Sequence, residues 1–352
     1  MSTLRDAIVE EDLQGIVSRP LPWAELSQST VLVTGAAGFL PAYMVEALLY
    51  RNEIDDHFGV RVVALVRDAA RASSRFRHYA GRKDLSILVQ DASDPLAEVG
   101  PVDVIVHAAS NASPRFFGTS PIETLRPNIL GTMRLLDACV DRSVEKFMFF
   151  SSGEVYGRVR EDQIPTREFD FGALDPSTVR SCYAESKRMG ETICAAYSAE
   201  HGVNTRIVRP FHTYGPSMRP DDGRVFADFV ADVVAGRDIS IKGDGTARRA
   251  FCYLSDATVG FFTVLLKGED AVPYNVGNDE AETSIAQLAE MLADLFPERG
   301  LRVVFEDRTA GDSYLASPIS RNCPNTSRLR DLGWRPEVTL EAGFRRTIES
   351  YL

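Results

Sequence analysis

The chain has 352 residues, 44% of them hydrophobic and 25% charged, a globular composition that excludes disorder as its main state. Its formal net charge of −11 argues against nucleic acid or an anionic membrane surface as the main partner. Five scattered cysteines (Cys139, Cys182, Cys194, Cys252 and Cys323) contain no CxxC pair and give little support to disulfides or a zinc site. With no membrane-length apolar run and an acidic N-terminus, a soluble protein of the reducing cytoplasm is expected.

Residues 3–17 are predicted to form an amphipathic helix, with Leu4, Ile8, Val9, Leu13 and Ile16 near helical spacing behind a Ser2/Thr3 cap. Pro20-Leu21-Pro22-Trp23 then breaks it, leaving an arm expected to pack on the core or on a second subunit. From residue 31 the pattern becomes strand (31–34), glycine turn, helix (39–52) and strand (62–66). Apolar runs at 86–89, 102–107 and 146–150 predict further strands. A helix around 122–140 carries Ile122, Leu125, Ile129, Met133 and Leu136 on one face, and a helix at 183–201 precedes a sixth strand at 204–208. This alternation predicts an α/β fold, a Rossmann-type doubly wound parallel sheet. Residues 209–224 are rich in proline, glycine and charge, as a substrate-covering loop would be. Helices near 225–235, 255–267, 284–296 and 340–351 alternate with brief strands and form the expected smaller C-terminal lobe.

Thr34-Gly35-Ala36-Ala37-Gly38-Phe39 follows the first strand and opens a helix. Glycines there permit a tight turn and let a pyrophosphate approach backbone N–H groups at the helix start, which makes Gly35, Gly38, Phe39 and Leu40 candidate cofactor residues. Pro41 stands where a third glycine is usual. At the end of the second strand, Arg67 and Asp68 leave both chemistries open: an acid suits the ribose of NAD, and an arginine suits the 2′-phosphate of NADP. Asp91 is a candidate contact for the adenine amino group. His107-Ala108-Ala109-Ser110 is expected along the cofactor, through Ala108 and Ser110, with His107 itself a core or lining residue.

Tyr183 and Lys187 lie four residues apart on a predicted helix and share a face. An ammonium beneath the phenol is expected to favour the phenolate and lower a pKa normally near 10. With a nearby hydroxyl from Ser152, the set can move a proton off an alcohol while its hydride leaves. Glu154 adds a carboxylate that simple alcohol oxidation does not require.

Together with Arg209-Pro210-Phe211-His212-Thr213-Tyr214-Gly215-Pro216, Asp222-Gly223-Arg224-Val225 and Arg249-Ala250-Phe251, these motifs resemble the extended short-chain dehydrogenase/reductases. That family includes nucleotide-sugar epimerases, dehydratases and decarboxylases, and the resemblance runs from residue 30 to the end. Within it the chain is most similar to UDP-glucuronate decarboxylases, whose "ASPASP" segment resembles residues 108–114. The resemblance implies that Ser152, Tyr183 and Lys187 form the oxidoreductive core and that Glu154 is the decarboxylases' active-site glutamate. It further implies that Arg249 binds the diphosphate and that Arg126, where those enzymes carry a lysine, contacts substrate. Arg224 and His212, the latter in place of the family's asparagine, are the other implied substrate residues.

The implied chemistry is oxidation at C4, loss of CO₂ from the resulting β-keto acid, and re-reduction, with NAD recycled and NADP admitted by Arg67. Gly153 replaces the family's serine and cannot serve as the dehydratases' acid, so the alternatives left open are a nucleotide-sugar 4-epimerase or other 4-keto-sugar enzyme, and an NAD(P)-binding protein without turnover. The resemblance also implies a UDP-linked nucleotide-sugar partner and a homodimer paired through the helices at 122–140 and 183–201. The expected organisation is an arm at 1–29, an NAD-binding domain at 30–210 and a mainly substrate-binding lobe at 211–352, with the chain crossing between lobes.

Overall fold

The computed structural model describes residues 5–306 and 319–352. In chain order the strands are β1 (Thr30–Thr34), β2 (Arg61–Val66), β3 (Leu85–Val89), β4 (Val104–His107), β5 (Lys146–Phe150), β6 (Thr205–Pro210) and β7 (His212–Tyr214). They continue with β8 (Ile239–Lys242), β9 (Arg248–Tyr253), β10 (Pro273–Val276), β11 (Glu282–Ser284), β12 (Val303–Glu306) and β13 (Arg321–Asn322). The helices are α1 (Ala7–Val17), α2 (Phe39–Ile54), α3 (Ala69–Arg75), α4 (Arg115–Thr119), α5 (Pro121–Arg126) and α6 (Thr132–Arg142). After them come α7 (Cys182–His201), α8 (Val225–Ala235), α9 (Leu254–Lys267), α10 (Ile285–Leu295), α11 (Ser327–Asp331) and α12 (Leu340–Glu349).

Seven strands make one parallel sheet in the order β10-β6-β5-β4-β1-β2-β3. Its central strands are apolar without alternation because helices cover both faces; every residue of β1 and β4 is buried. The order reverses between β1 and β4, where Thr34 pairs with His107. In an open α/β sheet, ligands bind in the crevice at that switch point, beyond the carboxyl ends of the strands. Past residue 211 the chain forms β7, β9, β11 and β13 and a β8–β12 pair, yet returns β10 to the large sheet beside β6. A second apolar core, containing Phe226, Phe229, Leu288, Leu292 and Phe344, joins α8, α10 and α12.

Two expectations need correction. Ser2, Thr3 and Leu4 lie outside the described residues, and the cap of α1 is Asp6, whose carboxylate accepts from the Ile8 and Val9 N–H groups. From α1, the buried Asp12 carboxylate accepts from Tyr43 of α2, Tyr253 of β9 and Arg346 of α12. The helix expected around 122–140 is not continuous: a π turn at Pro127–Gly131 separates α5 from α6. The extra residue in that turn rotates α6 relative to α5, so the predicted face divides. Leu136 is buried, whereas Ile122 and Met133 are exposed.

Candidate active site

One continuous cleft of about 2120 Å³ lies over the switch point, and its lining includes Arg67 and Arg71 after β2 and Ser240 and Lys242 of β8. Its floor begins with Gly35, which has a φ of +64° and would drive a Cβ to 2.8 Å from the Ala109 Cα. The side chain of Thr34 accepts from the Ala109 N–H at 3.1 Å and meets His107 Nδ1 at 2.8 Å, while His107 Nε2 faces the Pro127 carbonyl at 2.9 Å. Burial and the Lys187 charge push the His107 pKa down to about 3. A neutral ring donating to Pro127 and accepting from Thr34 satisfies the whole chain of hydrogen bonds. His107 is therefore a structural strut under the cleft.

The N-terminus of α2 opens on the cleft with no side-chain cap. Its Phe39 and Leu40 N–H groups are directed by the helix start, and Pro41, buried at the next position, has no N–H to offer. Ser110 Oγ is buried and lacks a hydrogen-bond partner. An uncapped helix start, a glycine that admits no side chain and an orphaned hydroxyl along one wall fit a dinucleotide. At the far end of β2, Asp68 caps α3 by accepting from the Arg71 N–H at 3.0 Å. Arg67 reaches Asn111 Oδ1 at 3.1 Å and lies 3.8 Å from both Asp91 and Glu123.

The reacting end combines Ser152, Glu154, Tyr183 and Lys187 in the same cleft. Lys187 Nζ donates to the Phe150 carbonyl at 2.6 Å and sits 5.8 Å from the Tyr183 ring centroid. The expected lowering of the Tyr183 pKa is not what this geometry produces. Burial pushes it up to about 12 and the Glu154 charge adds to the rise, while hydrogen bonding with Ser152 and the Arg224 charge oppose it. Lys187 is itself pushed down to about 7 by burial, against the Glu191 charge. Glu154 accepts from Arg180 Nη2 at 3.1 Å. The Arg180 guanidinium packs 5.0 Å over the Phe117 ring, which stacks on Tyr183 at 4.9 Å and 14°.

Across the cleft, Arg224 pairs with Asp222, and Arg249 donates to the backbone carbonyls of Arg248, Ile319 and Ser320. His212 lines the same wall; burial and the charges of Arg249 and Arg224 hold its pKa well below the ordinary value. Its Nε2 is buried without a hydrogen-bond partner. Residues 215–224 cross the cleft and are tied down by Arg75 to Ser217, Ser113 to the Asp222 carbonyl and Arg115 to Asp221.

A family model described as the NAD dependent epimerase/dehydratase family matches residues 31–277. The chain belongs to this family. It is 34% identical over 322 residues to UDP-glucuronic acid decarboxylase 6 of Arabidopsis thaliana, covering 90% of this chain and 87% of that protein. It is 32% identical over 328 residues to UDP-glucuronic acid decarboxylase 1 of Xenopus tropicalis, covering 93% and 73%. Among solved structures, a UDP-glucose 4-epimerase from Thermotoga maritima matches with a TM-score of 0.78 at 24% identity, over 92% of this chain and 98% of that one. A dTDP-glucose 4,6-dehydratase from Streptomyces venezuelae, solved with NAD bound, matches with a TM-score of 0.75 at 26% identity, over 92% and 96%. The chain is thus an NAD-dependent enzyme of the nucleotide-sugar type, built on the Rossmann-like sheet of its relatives.

Of the residues singled out by sequence, Gly35, Gly38, Phe39, Leu40, Arg67, Asp91, Ala108, Ser110, Ser152, Glu154, Tyr183, Lys187, His212, Arg224 and Arg249 share the one cleft. Arg126 does not: it is exposed on the last turn of α5, outside the lining. The inward positions there go to Thr124 and Asn128, and Asn128 donates to Ser186 of α7. Arg180 was missed. The available signal was a cation in the turn leading directly into Tyr183, but its stacking on Phe117 is a tertiary fact.

Proposed function

We propose that this enzyme decarboxylates UDP-glucuronate at the sugar, with no net change in redox state. The observation that carries this reading is Glu154, a carboxylate beside the Tyr183 phenol and close enough to influence its titration. The identity to two UDP-glucuronic acid decarboxylases over nine tenths of the chain supports it.

In this proposal the backbone at Gly35, Gly38, Phe39 and Leu40 cradles the pyrophosphate, and Ser110 binds farther along the dinucleotide. Bound NAD supplies reversible hydride acceptance at the sugar C4. Tyr183 holds and returns the C4 hydroxyl proton, with Ser152 as its hydrogen-bond relay. Lys187, anchored on the Phe150 carbonyl, holds its amino group near the ring. A carbonyl at C4 is β to the C6 carboxylate, so it takes up the electron pair released when the C5–C6 bond breaks and CO₂ departs. Glu154 orients the proton donor at C5, a role that typically contributes about 10²–10⁴-fold. Arg249, Arg224 and His212 face the diphosphate, which needs cations and single N–H donors of this kind.

Incubation of the purified protein with NAD and UDP-glucuronate should release CO₂ and a UDP-pentose, read by NMR. Formation of UDP-galacturonate alone would replace this reading with a 4-epimerase. No turnover of any nucleotide sugar, with NAD still bound, would leave a binding protein.

The reading extends to assembly and location. Leu130, Met133 and Val140 are exposed beside Met189 of the adjacent α7, an apolar face that pairs with its copy in a homodimer. All five cysteines are free thiols, in keeping with a reducing cytoplasm.

A further inference from the structure

With Arg126 exposed outside the cleft, a different cation stands beside the reacting centre. Arg180 occupies the short turn Val179–Ser181 that leads into α7, and its side chain is mostly buried. Phe117 packs against both its guanidinium and the Tyr183 ring. A guanidinium has five N–H donors. Among the described residues, Arg180 engages one of them, at Glu154, and its Nε is buried with no partner. Arg180 lines the cleft, so the guanidinium donors left free by Glu154 on its terminal nitrogens are placed to meet a ligand oxygen.

We propose that Arg180 binds the anionic C6 group of the sugar and that Glu154 offsets its charge. The inference rests on the decarboxylase reading and adds to it the residue that recognises the carboxylate. The guanidinium fork matches a carboxylate in shape and charge. Held alone, however, it would oppose the reaction. As the C5–C6 bond breaks, its electron pair moves into the C4 carbonyl, the C4 oxygen becomes anionic and CO₂ leaves uncharged. A lone cation at C6 therefore stabilises the substrate more than the transition state and slows the step. With Glu154 bonded to the same guanidinium, the pair orients the carboxylate while adding no net charge. Glu154 thereby gains a second duty, beyond orienting the donor at C5.

The test compares UDP-glucuronate with UDP-glucose, which differ only at C6, by calorimetric binding to the NAD-loaded protein. Wild type is expected to prefer UDP-glucuronate by about tenfold or more, the scale of one charge-assisted hydrogen bond. Arg180→Gln should abolish that preference while leaving the affinities for UDP-glucose and NAD within about twofold, and those two affinities also report an intact fold. Arg180→Lys should restore part of the preference. Glu154→Gln should bind UDP-glucuronate more tightly than wild type while releasing CO₂ more slowly. Retention of the preference in Arg180→Gln, or weaker UDP-glucuronate binding in Glu154→Gln, overturns the inference even where wild type releases CO₂. A wild type that neither prefers UDP-glucuronate nor releases CO₂ overturns the decarboxylase reading and this inference together.

Discussion

Arg209 and Glu191 form a two-pronged ion pair, with Nε to Oε1 at 2.8 Å and Nη2 to Oε2 at 2.5 Å, and the arginine is almost wholly removed from solvent. The same guanidinium donates to the Tyr156 hydroxyl and the Glu168 carbonyl, so it binds β6, α7 and the loop after β5 into one block beneath the reacting residues. Glu191→Gln leaves a buried charge uncompensated and is expected to cost roughly 3–5 kcal/mol of stability. Denaturant titration measures it. A loss within error of zero would show that the block holds without the pair.

Tyr183→Phe should lower turnover by about 10²–10⁴-fold or more, since it removes the group that holds the C4 proton. Calorimetry of the same variant should return an NAD affinity close to that of wild type, because the cradle at Gly35 and Ser110 is untouched.

Asp256 supplies a pH-dependent term in stability. Burial pushes its pKa from 3.8 up to about 7, although the Val338 N–H and the Arg19 charge pull it down. Between those values the folded protein keeps a proton that the unfolded chain releases, so stability is full below about pH 4 and is lost as pH rises through 7. The change is on the order of a few kcal/mol. The fall in Tm between pH 5 and pH 8 should be smaller in Asp256→Asn than in wild type, measured by calorimetry at both pH values.

Arg67 already has Asp91 and Glu123 within 3.8 Å. A 2′-phosphate brought to that end of the cleft meets these two carboxylates as well as the guanidinium. NAD should therefore bind more tightly than NADP by at least about tenfold, and fluorescence titration with each cofactor decides it.

Met133→Asp places a charge in the proposed pairing face without touching the cleft. Light scattering after size exclusion should find a dimer in wild type and a monomer in the variant. A monomeric wild type would remove the pairing proposal and leave the decarboxylase reading intact.

The large sheet was legible because its strands are apolar on both faces and because Thr34, Gly35 and Gly38 mark the first turn. The shared-cleft residues were legible for a related reason: most sit at the ends of strands that the pattern had already found. What failed was set by tertiary context. Nothing in local spacing announces the π turn after Pro127, which rotated α6 and divided the expected face. Nor does helical spacing report burial, and burial rather than Lys187 governs the titration of Tyr183. Arg126 and Arg180 exchange importance for the same reason, since only the folded chain shows which of them points at Phe117.

Asp12 also joins parts of the molecule that lie far apart along the chain. Its partners come from α2, β9 and α12, the last of them, Arg346, 334 residues away in sequence. One carboxylate on α1 therefore fastens the sheet's first helix, a strand of the smaller lobe and the last helix described to one another. Removal of either α1 or α12 would break that junction.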